Sequence, residues 1–499
     1  MSESEQGKVS RDPLEALGRF RWTLCASRGL IEATPFTIRK KDTMTYQSTN
    51  PYNGKVLKTF EEISDAQLET KLQRAADCFE NEWRATPFAQ RSAILSRAAA
   101  LLRERSQEFA ELITLEMGKL IRQSRGEVAL SAAILDYYAD HAEGFLAPEK
   151  LTTPHGDATV ESCPIGVLFG VEPWNYPYYQ IARFAAPNLM AGNVVMVKHA
   201  SNVPQCALAF EQLMTEAGAP TGAYTNLFIS KDQVAQVIDD TRIRAVALTG
   251  SEAAGAIVAA RAGQNLKKTT MELGGSDAFI VLEDADLDKA VKEAVSGRMG
   301  NSGQACTASK RFIVVEPLAD RFLEKFQAAL EGFKPGDPMD KQTTLAPLSS
   351  GAALKHLLEQ VEGAVAHGAH VLMGGQRIAG LEGAFMQPTI LTHIDKSNPA
   401  YSEEFFGPVA LFFRVANEDE AVALANDSPF GLGGSVFTQD IERGKRVARR
   451  IDTGMVFINS AADSSPELPF GGVKNSGYGR ELSGAGIQEF INKKLILVS

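Results

Sequence analysis

The sequence lacks any uninterrupted apolar run of the roughly 18–20 residues that a helix needs to cross a bilayer. It also lacks a long basic stretch, and its formal net charge is −10. An acidic chain without basic patches argues against nucleic acid or an anionic membrane surface as a partner. The length of 499 residues, with 44% hydrophobic and 22% charged, suits about two or three folded domains.

Cysteine is scarce and unpaired in the sequence. The five cysteines stand far apart without a CxxC pair, and the seven histidines form neither an HExxH nor an HxxxH pattern. Neither a disulfide framework nor a metal site is therefore expected. Wide cysteine spacing without pairs is typical of a reduced protein, so a cytoplasmic location is predicted.

Residues 1–43 differ in character from the rest of the chain. They carry no apolar segment of the kind that a secretory signal needs, and they contain too many acids for a typical mitochondrial presequence. We interpret them as a leader that does not belong to the fold. The folded protein is expected to begin near Met44.

From residue 46 onward the pattern predicts an α/β protein. Two short strands are predicted within 46–60 and helices from 64 to about 142, after which strands alternate with helices of ten or more residues. That alternation predicts doubly wound parallel sheets. The C-terminal run KKLILVS predicts a strand; we expect it to pair with another subunit rather than to form an edge of its own domain.

Four short segments carry side chains suited to chemistry, and each has a structural alternative. Cys306 lies among small residues in NSGQACTASKRF, although a lone cysteine is more often a buried core residue. Glu272 in MELGGSDAF is either a helix cap or a general base, and Asn175 in EPWNYP either donates to an oxyanion or holds a turn. Gly250 and Ser251 open a helix whose N-terminus suits an anion.

Together these segments resemble the NAD(P)-dependent aldehyde dehydrogenase superfamily. EPWNYP, MELGG and GQAC look like its oxyanion, general-base and nucleophile segments, and EEFFGPV and PFGGVKNSGYGRE look like two further family signatures. The interval between Glu272 and Cys306 is the usual one for the family. The resemblance covers about residues 46–499.

The resemblance implies a role for each catalytic residue. Cys306 is the nucleophile that attacks an aldehyde to give a thiohemiacetal, and the oxyanion is held by the Asn175 amide and the Cys306 backbone N–H. Loss of hydride gives a thioester. Glu272 then activates the water that hydrolyses this thioester to the carboxylic acid.

The resemblance also implies a dinucleotide site. Lys198 and Glu404 would bind ribose hydroxyls, Ser251 would meet the pyrophosphate, and Phe406 would flank the nicotinamide. The full set of expected cofactor-binding residues is Trp174, Lys198, Ser201, Gly250, Ser251, Leu273, Glu404 and Phe406.

One departure from the family pattern bears on the choice of cofactor. Many members read Lys-Pro-x-Glu, whose glutamate binds the ribose 2′-OH, whereas this chain reads Lys198-His199-Ala200-Ser201. Ser201 removes an anion that would repel a 2′-phosphate, and Lys198 remains to attract it. NADP is therefore the preferred cofactor, with NAD as the alternative.

Within the superfamily the chain is most similar to the bacterial succinate-semialdehyde dehydrogenases. This resemblance implies that Arg183, Ser464 and Ser465 bind the substrate carboxylate. A second arginine of some members is replaced by Gly300, and Arg298 stands two residues earlier, so the substrate remains open.

Three alternative functions would place different demands on these residues. An aldehyde dehydrogenase for small neutral aldehydes, of the lactaldehyde or glycolaldehyde type, would not need Arg183 as a cation near the pocket. A CoA-acylating relative would not need the base Glu272. A binding protein on a dead scaffold is disfavoured because Cys306, Glu272 and Asn175 are all present.

The family fold implies a division of the chain into a cofactor domain, a catalytic domain and an oligomerisation arm. We expect the NAD(P)-binding domain in residues 44–145 and 165–274 and the catalytic domain in residues 275–474. Residues 146–164 and 488–499 would form the arm, and a homodimer or homotetramer is expected.

Overall fold

The computed structural model describes residues 46–499, so the predicted leader, residues 1–43, lies outside the described residues. The strands are β1 (Tyr46–Thr49), β2 (Val56–Phe60), β3 (Glu149–Leu151), β4 (Asp157–Pro164), β5 (Val167–Glu172), β6 (Val194–His199), β7 (Tyr224–Asn226), β8 (Ile243–Thr249), β9 (Lys268–Glu272), β10 (Asp277–Val281), β11 (Ser309–Val315), β12 (His370–Met373), β13 (Thr389–Thr392), β14 (Val409–Val415), β15 (Phe430–Gly431), β16 (Gly434–Phe437), β17 (Phe457–Ile458), β18 (Val473–Lys474), β19 (Gly477–Tyr478) and β20 (Ile491–Val498).

The helices surround these strands. They are α1 (Asp65–Asn81), α2 (Phe88–Glu104), α3 (Ser106–Met117), α4 (Ile121–Phe145), α5 (Pro177–Met190), α6 (Pro204–Glu216), α7 (Lys231–Asp239), α8 (Glu252–Gln264), α9 (Leu287–Met299), α10 (Glu316–Glu331), α11 (Gly351–Ala366), α12 (Glu418–Asn426), α13 (Ile441–Ala448) and α14 (Ser483–Ile487). Among residues 46–499, no helix is both long and apolar enough to cross a membrane.

A six-stranded sheet has the order β19-β9-β8-β5-β6-β7. Strands β5 to β9 run parallel, and β19 alone pairs antiparallel, with β9. The central strands are nearly continuous apolar runs, as in VVMVKH of β6, because helices cover both faces of a parallel sheet. The predicted α/β class with parallel strands is confirmed.

A seven-stranded sheet, in the order β12-β13-β14-β11-β10-β16-β17, lies in the second half of the chain. Its core holds a cluster of phenylalanines, in which the ring centroids of Phe312 and Phe326 lie 4.8 Å apart and those of Phe279 and Phe437 4.4 Å apart. The two large sheets therefore have separate cores. Their assignment as cofactor and catalytic domains stays a prediction.

The third sheet corrects one expectation. The C-terminal strand β20 pairs antiparallel with β4 of its own chain along its whole length, from Ile491 with Pro164 to Val498 with Asp157. No local pattern indicates this partner, because the two strands are so far apart in the chain. β20 is an edge strand in the order β20-β4-β3, and Leu495 and Val498 on it are exposed.

We predict that Gly477→Ala destabilises the fold next to the site. Gly477 has a φ of +103°, and an alanine Cβ there would lie 2.0 Å from the Met271 carbonyl oxygen. The substitution should lower the free energy of unfolding by about 2 kcal/mol or more, measured by urea denaturation.

The matched control is Gly263→Ala, where an added Cβ meets no atom within 4 Å. Because Gly263 is in an exposed part of helix α8, alanine there should leave the stability unchanged or raise it by about 0.5–1 kcal/mol. Equal stability of both variants would contradict the prediction.

Candidate active site

The candidate site lies at the carboxyl edge of the six-stranded sheet. Strands β5, β8 and β9 end at Glu172, Thr249 and Glu272, and Thr249 pairs with Glu272 across the two strands. Because the strands are parallel, the segments that follow them emerge at one edge. Three motifs that are distant in sequence thus converge.

A cleft of about 330 Å³ opens at this edge. It brings together the three predicted catalytic residues and most of the predicted cofactor residues. The residues that line it are Pro173, Trp174, Asn175, Gln180, Thr249, Gly250, Ser251, Glu272, Leu273, Gly274, Cys306, Ala353, His356, Leu357, Gln360, Glu404 and Phe406.

The backbone before Cys306 has an unusual conformation. A 3₁₀ turn over Gly300–Gly303 contains Asn301 and Ser302 in the left-handed region, with φ values of 51° and 53°. Arg298, which is fully buried, donates a hydrogen bond from Nη2 to the Gly303 carbonyl at 2.7 Å. Strained backbone of this kind is typical of functional sites, because the surrounding structure must hold it in place.

The Asn175 amide lies against the turn that carries Cys306. Its Nδ2 donates to the Gln304 carbonyl at 3.2 Å. The Asn301 amide donates to the carbonyls of Asn175, at 2.9 Å, and of Gln304, at 3.1 Å. The oxyanion donor and the nucleophile segment are therefore linked by direct hydrogen bonds.

A buried ion pair holds the other side of Asn175. Lys119 pairs with Glu127, and its Nζ also donates to the Asn175 carbonyl at 2.9 Å. The second carboxylate oxygen of Glu127 accepts from the backbone N–H groups of Tyr178, at 2.9 Å, and Tyr179, at 3.3 Å. Glu127 thus satisfies the free amides at the N-terminus of helix α5.

Burial controls the protonation of Glu272. Desolvation raises the pKa of Glu272 to about 7, although the Arg183 guanidinium and a hydrogen bond with Cys306 act to lower it. A carboxyl group with a pKa near neutral pH suits a general base.

Cys306 is held as a thiol in the resting protein. Desolvation raises the pKa of Cys306 well above its ordinary value, and the nearby Glu272 carboxylate raises it further. Since the thiolate is the nucleophilic form, the sulfur needs a proton acceptor before it can react. Glu272 is placed to be that acceptor.

Glu404 lies beneath the glycines that follow Glu272. Its carboxylate accepts from the Gly275 N–H at 3.0 Å and pairs with Lys310 at 3.0 Å. Lys310 Nζ also donates to the carbonyl of Cys306 at 2.7 Å. A Cβ at Gly274 would stand 2.5 Å from the Glu404 carboxylate, so only glycine leaves this space free.

Two aromatic rings flank the cleft. The ring centroids of Trp174 and Phe406 lie 5.7 Å apart in an edge-on arrangement. Ser251 caps helix α8 by accepting from the Ala254 N–H at 3.4 Å, so this helix begins at the cleft. The Leu273 side chain packs against Gly255 of this helix, since a Cβ at Gly255 would lie only 2.6 Å from Leu273 Cδ2.

The structure places Lys198 and Ser201 away from this wall. Lys198 Nζ lies 5.5 Å from the Tyr46 ring centroid, and burial, together with the nearby Lys231, lowers the pKa of Lys198 to about 8. Ser201 lines a second cleft, of about 750 Å³, beside helix α11. Neither residue lines the cleft that contains Cys306.

The predicted substrate residues occupy different surroundings from those expected. Arg183 is fully buried and forms ion pairs with Glu272, at 3.4 Å, and with Glu481. Ser464 Oγ hydrogen-bonds the Tyr179 hydroxyl at 2.8 Å, and Ser465 hydrogen-bonds Glu467. Ser464 and Ser465 line a smaller cleft of about 220 Å³.

Sequence reasoning missed several residues that shape the site: Lys119, Glu127, Asn301, Lys310 and Glu481. Lys119 and Glu127 belong to a helical stretch of mixed polarity, where charged side chains are expected to be exposed to solvent. Each is instead 4% or less exposed in the folded protein, and no local sequence pattern reveals this burial.

Among residues 46–499, no cluster of three metal-ligating side chains occurs.

The chain is similar to known proteins over nearly its whole length. The pattern of the aldehyde dehydrogenase family matches residues 38–496. A succinate-semialdehyde dehydrogenase [NADP(+)] of Deinococcus radiodurans is 52% identical over 93% of this chain and 97% of its own length. A probable enzyme of the same name from Synechocystis is 47% identical over 91% of this chain and 100% of its own.

A solved structure is similar throughout. Succinic semialdehyde dehydrogenase of Streptococcus pyogenes, in complex with NADP+, is 49% identical and superposes with a TM-score of 0.89. The match covers 91% of this chain and 99% of the other.

We predict that Cys306 reacts with iodoacetamide slowly at pH 7 and faster as the pH rises. Because the raised pKa keeps the thiol protonated, the thiolate fraction should grow about tenfold per pH unit between pH 7 and pH 9. Peptide mass spectrometry would measure the rate at each cysteine.

The buried Cys78 and Cys206 serve as internal controls and should remain unmodified in the native protein. A rate at Cys306 that does not change between pH 7 and pH 9 would mean that its thiolate forms readily, against this prediction.

Proposed function

This chain belongs to the aldehyde dehydrogenase family, and we propose that it oxidises succinate semialdehyde to succinate with NADP+. The observation that carries the proposal is the meeting of Cys306, Glu272 and Asn175 in one cleft. The proposed substrate and cofactor are supported by two relatives. One is named succinate-semialdehyde dehydrogenase [NADP(+)], and the other is named a probable succinate-semialdehyde dehydrogenase [NADP(+)].

The cleft fits a dinucleotide. Helix α8 begins at its wall with Ser251, so its N-terminus can face a pyrophosphate. Gly274 leaves room above the Glu404 carboxylate, whose oxygens suit ribose hydroxyls, and Trp174 and Phe406 supply flat apolar walls. The chemistry that NADP+ would supply when bound there is the acceptance of a hydride from the substrate carbon.

In the first half of the reaction, Glu272 takes the proton of the Cys306 thiol, and the sulfur attacks the aldehyde carbon. A C–S bond forms, and the carbonyl oxygen becomes an oxyanion that the Asn175 amide stabilises. The hydrogen bonds from Asn301 and Lys119 to the Asn175 carbonyl keep this amide in place. Departure of the hydride leaves a thioester on Cys306.

In the second half, Glu272 acts as a base again. After it has released the thiol proton to solvent, its carboxylate removes a proton from a water molecule, and the hydroxide attacks the thioester carbon. The C–S bond breaks, the acid leaves and the thiolate of Cys306 takes the proton back from Glu272. A pKa of about 7 allows Glu272 to serve both steps near neutral pH.

The test is an assay of NADPH formation with purified protein. Succinate semialdehyde should be oxidised with NADP+, Cys306→Ala should abolish turnover, and Cys163→Ala, a control outside the cleft, should leave it unchanged. Turnover by Cys306→Ala near the wild-type rate would remove Cys306 from its role.

The same assay with butanal and glycolaldehyde decides between the proposed substrate and the neutral-aldehyde alternative. The burial of Arg183 among carboxylates is the observation that favours the alternative, because no cation is then free at that position to meet an anionic tail. A kcat/KM for a neutral aldehyde above that for succinate semialdehyde would establish it.

We also place the enzyme in the cytoplasm as a homo-oligomer. The four described cysteines, Cys78, Cys163, Cys206 and Cys306, are all free, which is typical of a reducing compartment. The exposed apolar side chains of β20 and of Leu151 on β3 support an interface along the small sheet. The sedimentation velocity of the purified protein would measure the assembly.

We predict that Glu272→Gln slows both halves of the reaction. A glutamine amide takes the proton of neither the Cys306 thiol nor water, so a burst of about one NADPH per active site should rise more slowly than in the wild type and be followed by little turnover. In the wild type, kcat should fall as the pH drops below about 7, because Glu272 then binds a proton. Rapid-mixing absorbance measures the burst, and a burst at the wild-type rate would remove Glu272 from the first step.

We predict that Ser201→Glu shifts the cofactor preference towards NAD. Ser201 lines the second cleft, and because helix α11 lines both clefts, the adenosine end of the cofactor is proposed to extend from the cleft with Cys306 to the second one. A carboxylate at position 201 would then repel the 2′-phosphate and accept a hydrogen bond from a bare 2′-OH, so NADP affinity should fall by ~1–3 kcal/mol. The ratio of kcat/KM for NADP over NAD measures the change, with Ser201→Ala as the control without charge. An unchanged ratio would remove Ser201 from the cofactor site.

A further inference from the structure

Lys310 is a fully buried cation at the base of the cleft. It stands on strand β11, which pairs with β10 on one side and β14 on the other in the seven-stranded sheet. Its Nζ lies 2.9 Å from the carbonyl oxygen of Ala305, 2.7 Å from that of Cys306 and 3.0 Å from Oε1 of Glu404. An ammonium group has three N–H donors, so each of them has one oxygen to face.

The two carbonyls held by Lys310 belong to the peptide units on either side of the Cys306 Cα. The Ala305 carbonyl shares its planar peptide with the Cys306 N–H, and in a trans peptide the oxygen and the N–H point in opposite directions. Holding the oxygen therefore fixes the direction of the N–H. The Cys306 carbonyl is confined from its other side as well, because a Cβ at Gly275 would lie 2.6 Å from its oxygen.

The two oxygens of Glu404 have different surroundings. Oε1 accepts from the Gly275 N–H at 3.0 Å and pairs with Lys310. Oε2 instead borders the space at Gly274, where an added Cβ would lie 2.5 Å from it. The Glu404 side chain is 20% exposed, so without its anchor at Oε1 it could turn towards solvent.

The neighbouring arginines do not take over this ion pair. Arg298 donates to the Gly303 carbonyl, and Arg311 donates to the carbonyls of Ser276, Leu424 and Ala425. Among residues 46–499, Lys310 is the only cation within 4 Å of the Glu404 carboxylate. Its loss would leave that carboxylate without a counter-charge at bonding distance.

We propose that Lys310 is a positioning residue for both halves of the reaction centre: it orients the Cys306 N–H through the Ala305 carbonyl, and it anchors Glu404 with one oxygen turned towards the cofactor. The inference rests on the proposed function, in which that N–H stabilises the oxyanion and Glu404 binds a ribose. Lys310 does not line the cleft, so it acts through these two residues.

The charge of Lys310 also acts on the thiol. The charged groups that face Cys306 are Glu272 on β9, Arg183 on α5 and Lys310, while burial raises the pKa of Tyr176 and keeps that phenol neutral. Lys310 and Arg183 lower the pKa of the thiol against the larger effect of desolvation. Removing Lys310 should therefore slow alkylation of the thiol, whereas a general loosening of the fold would speed it.

The first arm of the test measures nucleotide affinity by calorimetric titration with NADP+, in Lys310→Met, Glu404→Gln and the double variant. Each single substitution should weaken binding about tenfold, and the double variant should be no weaker than about twice the Kd of Glu404→Gln, because Lys310 acts on the nucleotide through Glu404. An unchanged affinity in Lys310→Met, or a loss of about a hundredfold in the double variant, would overturn the proposal.

The second arm measures iodoacetamide alkylation of Cys306 at pH 8 without nucleotide. The rate should fall about threefold or more in Lys310→Met and in the double variant, but not in Glu404→Gln, which keeps the cation beside the loop. The buried Cys78 and Cys206 should stay unmodified. A faster rate at Cys306 together with modification of these two cysteines would mean that Lys310 only supports the fold.

The matched control is Lys325→Met, which removes an exposed lysine that pairs with Asp288 at 2.8 Å and should change neither the affinity nor the alkylation rate. If Lys310→Met does not fold, Lys310→Gln, which keeps an N–H donor but no charge, takes its place with the same expected losses.

The two arms also separate this inference from the proposed function. A wild type that binds neither NADP+ nor NAD+ would overturn the proposed function and, with it, the role of Lys310 towards Glu404. The alkylation rates need no nucleotide and still decide whether Lys310 acts on Cys306. A wild type that binds NADP+, with affinity and alkylation rate both unchanged in Lys310→Met, would overturn this inference and leave the proposed function intact.

Discussion

The buried ion pair of Lys119 and Glu127 is the constraint on which the site depends. Both side chains are 1% exposed, so separating them would leave an unpaired charge in the interior, at a cost of about 3–5 kcal/mol. The pair is also fully used: Lys119 binds the Asn175 carbonyl and Glu127 binds the first amides of helix α5. The loop between β5 and α5, which carries the oxyanion donor Asn175, is therefore held at Asn175 and at the point where α5 begins.

A second buried group fixes the beginning of the same loop. His199 donates from Nε2 to the carbonyl of Pro177, the first residue of α5, at 2.9 Å, and its Nδ1 accepts from the Ala200 N–H at 2.9 Å. The same Nδ1 lies 3.1 Å from the carbonyl oxygen of Glu172, the last residue of β5. Burial lowers the pKa of His199 to about 4, so the ring stays neutral while it makes these contacts. His199 stands where many family members have the proline of Lys-Pro-x-Glu. It thus has a structural role that the pattern, considered for its effect on the cofactor, does not suggest.

The sequence was sufficient where the information is local. Alternating strands and helices identified the parallel sheets, and the short motifs around Asn175, Glu272 and Cys306 identified residues that share a cleft. Features that depend on contacts between residues distant in the chain could not be predicted in this way. The partner of β20 is a strand more than three hundred residues earlier in the chain, and no pattern in KKLILVS encodes it. Charged residues such as Lys119 read as surface residues because their burial is decided by helices that are remote in sequence.

Arg183 illustrates why a motif can identify a position without fixing its role. On helix α5, Tyr179 stands one turn before Arg183 on the same face, so its ring and hydroxyl lie between the guanidinium and the cleft of Ser464. The guanidinium is also held by an ion pair between its Nε and the carboxylate of Glu481, which lies in the loop after β19. A residue type at a given spacing specifies which helix face an arginine occupies. Whether the arginine meets a ligand or a carboxylate of the protein is determined by the element that packs over that face.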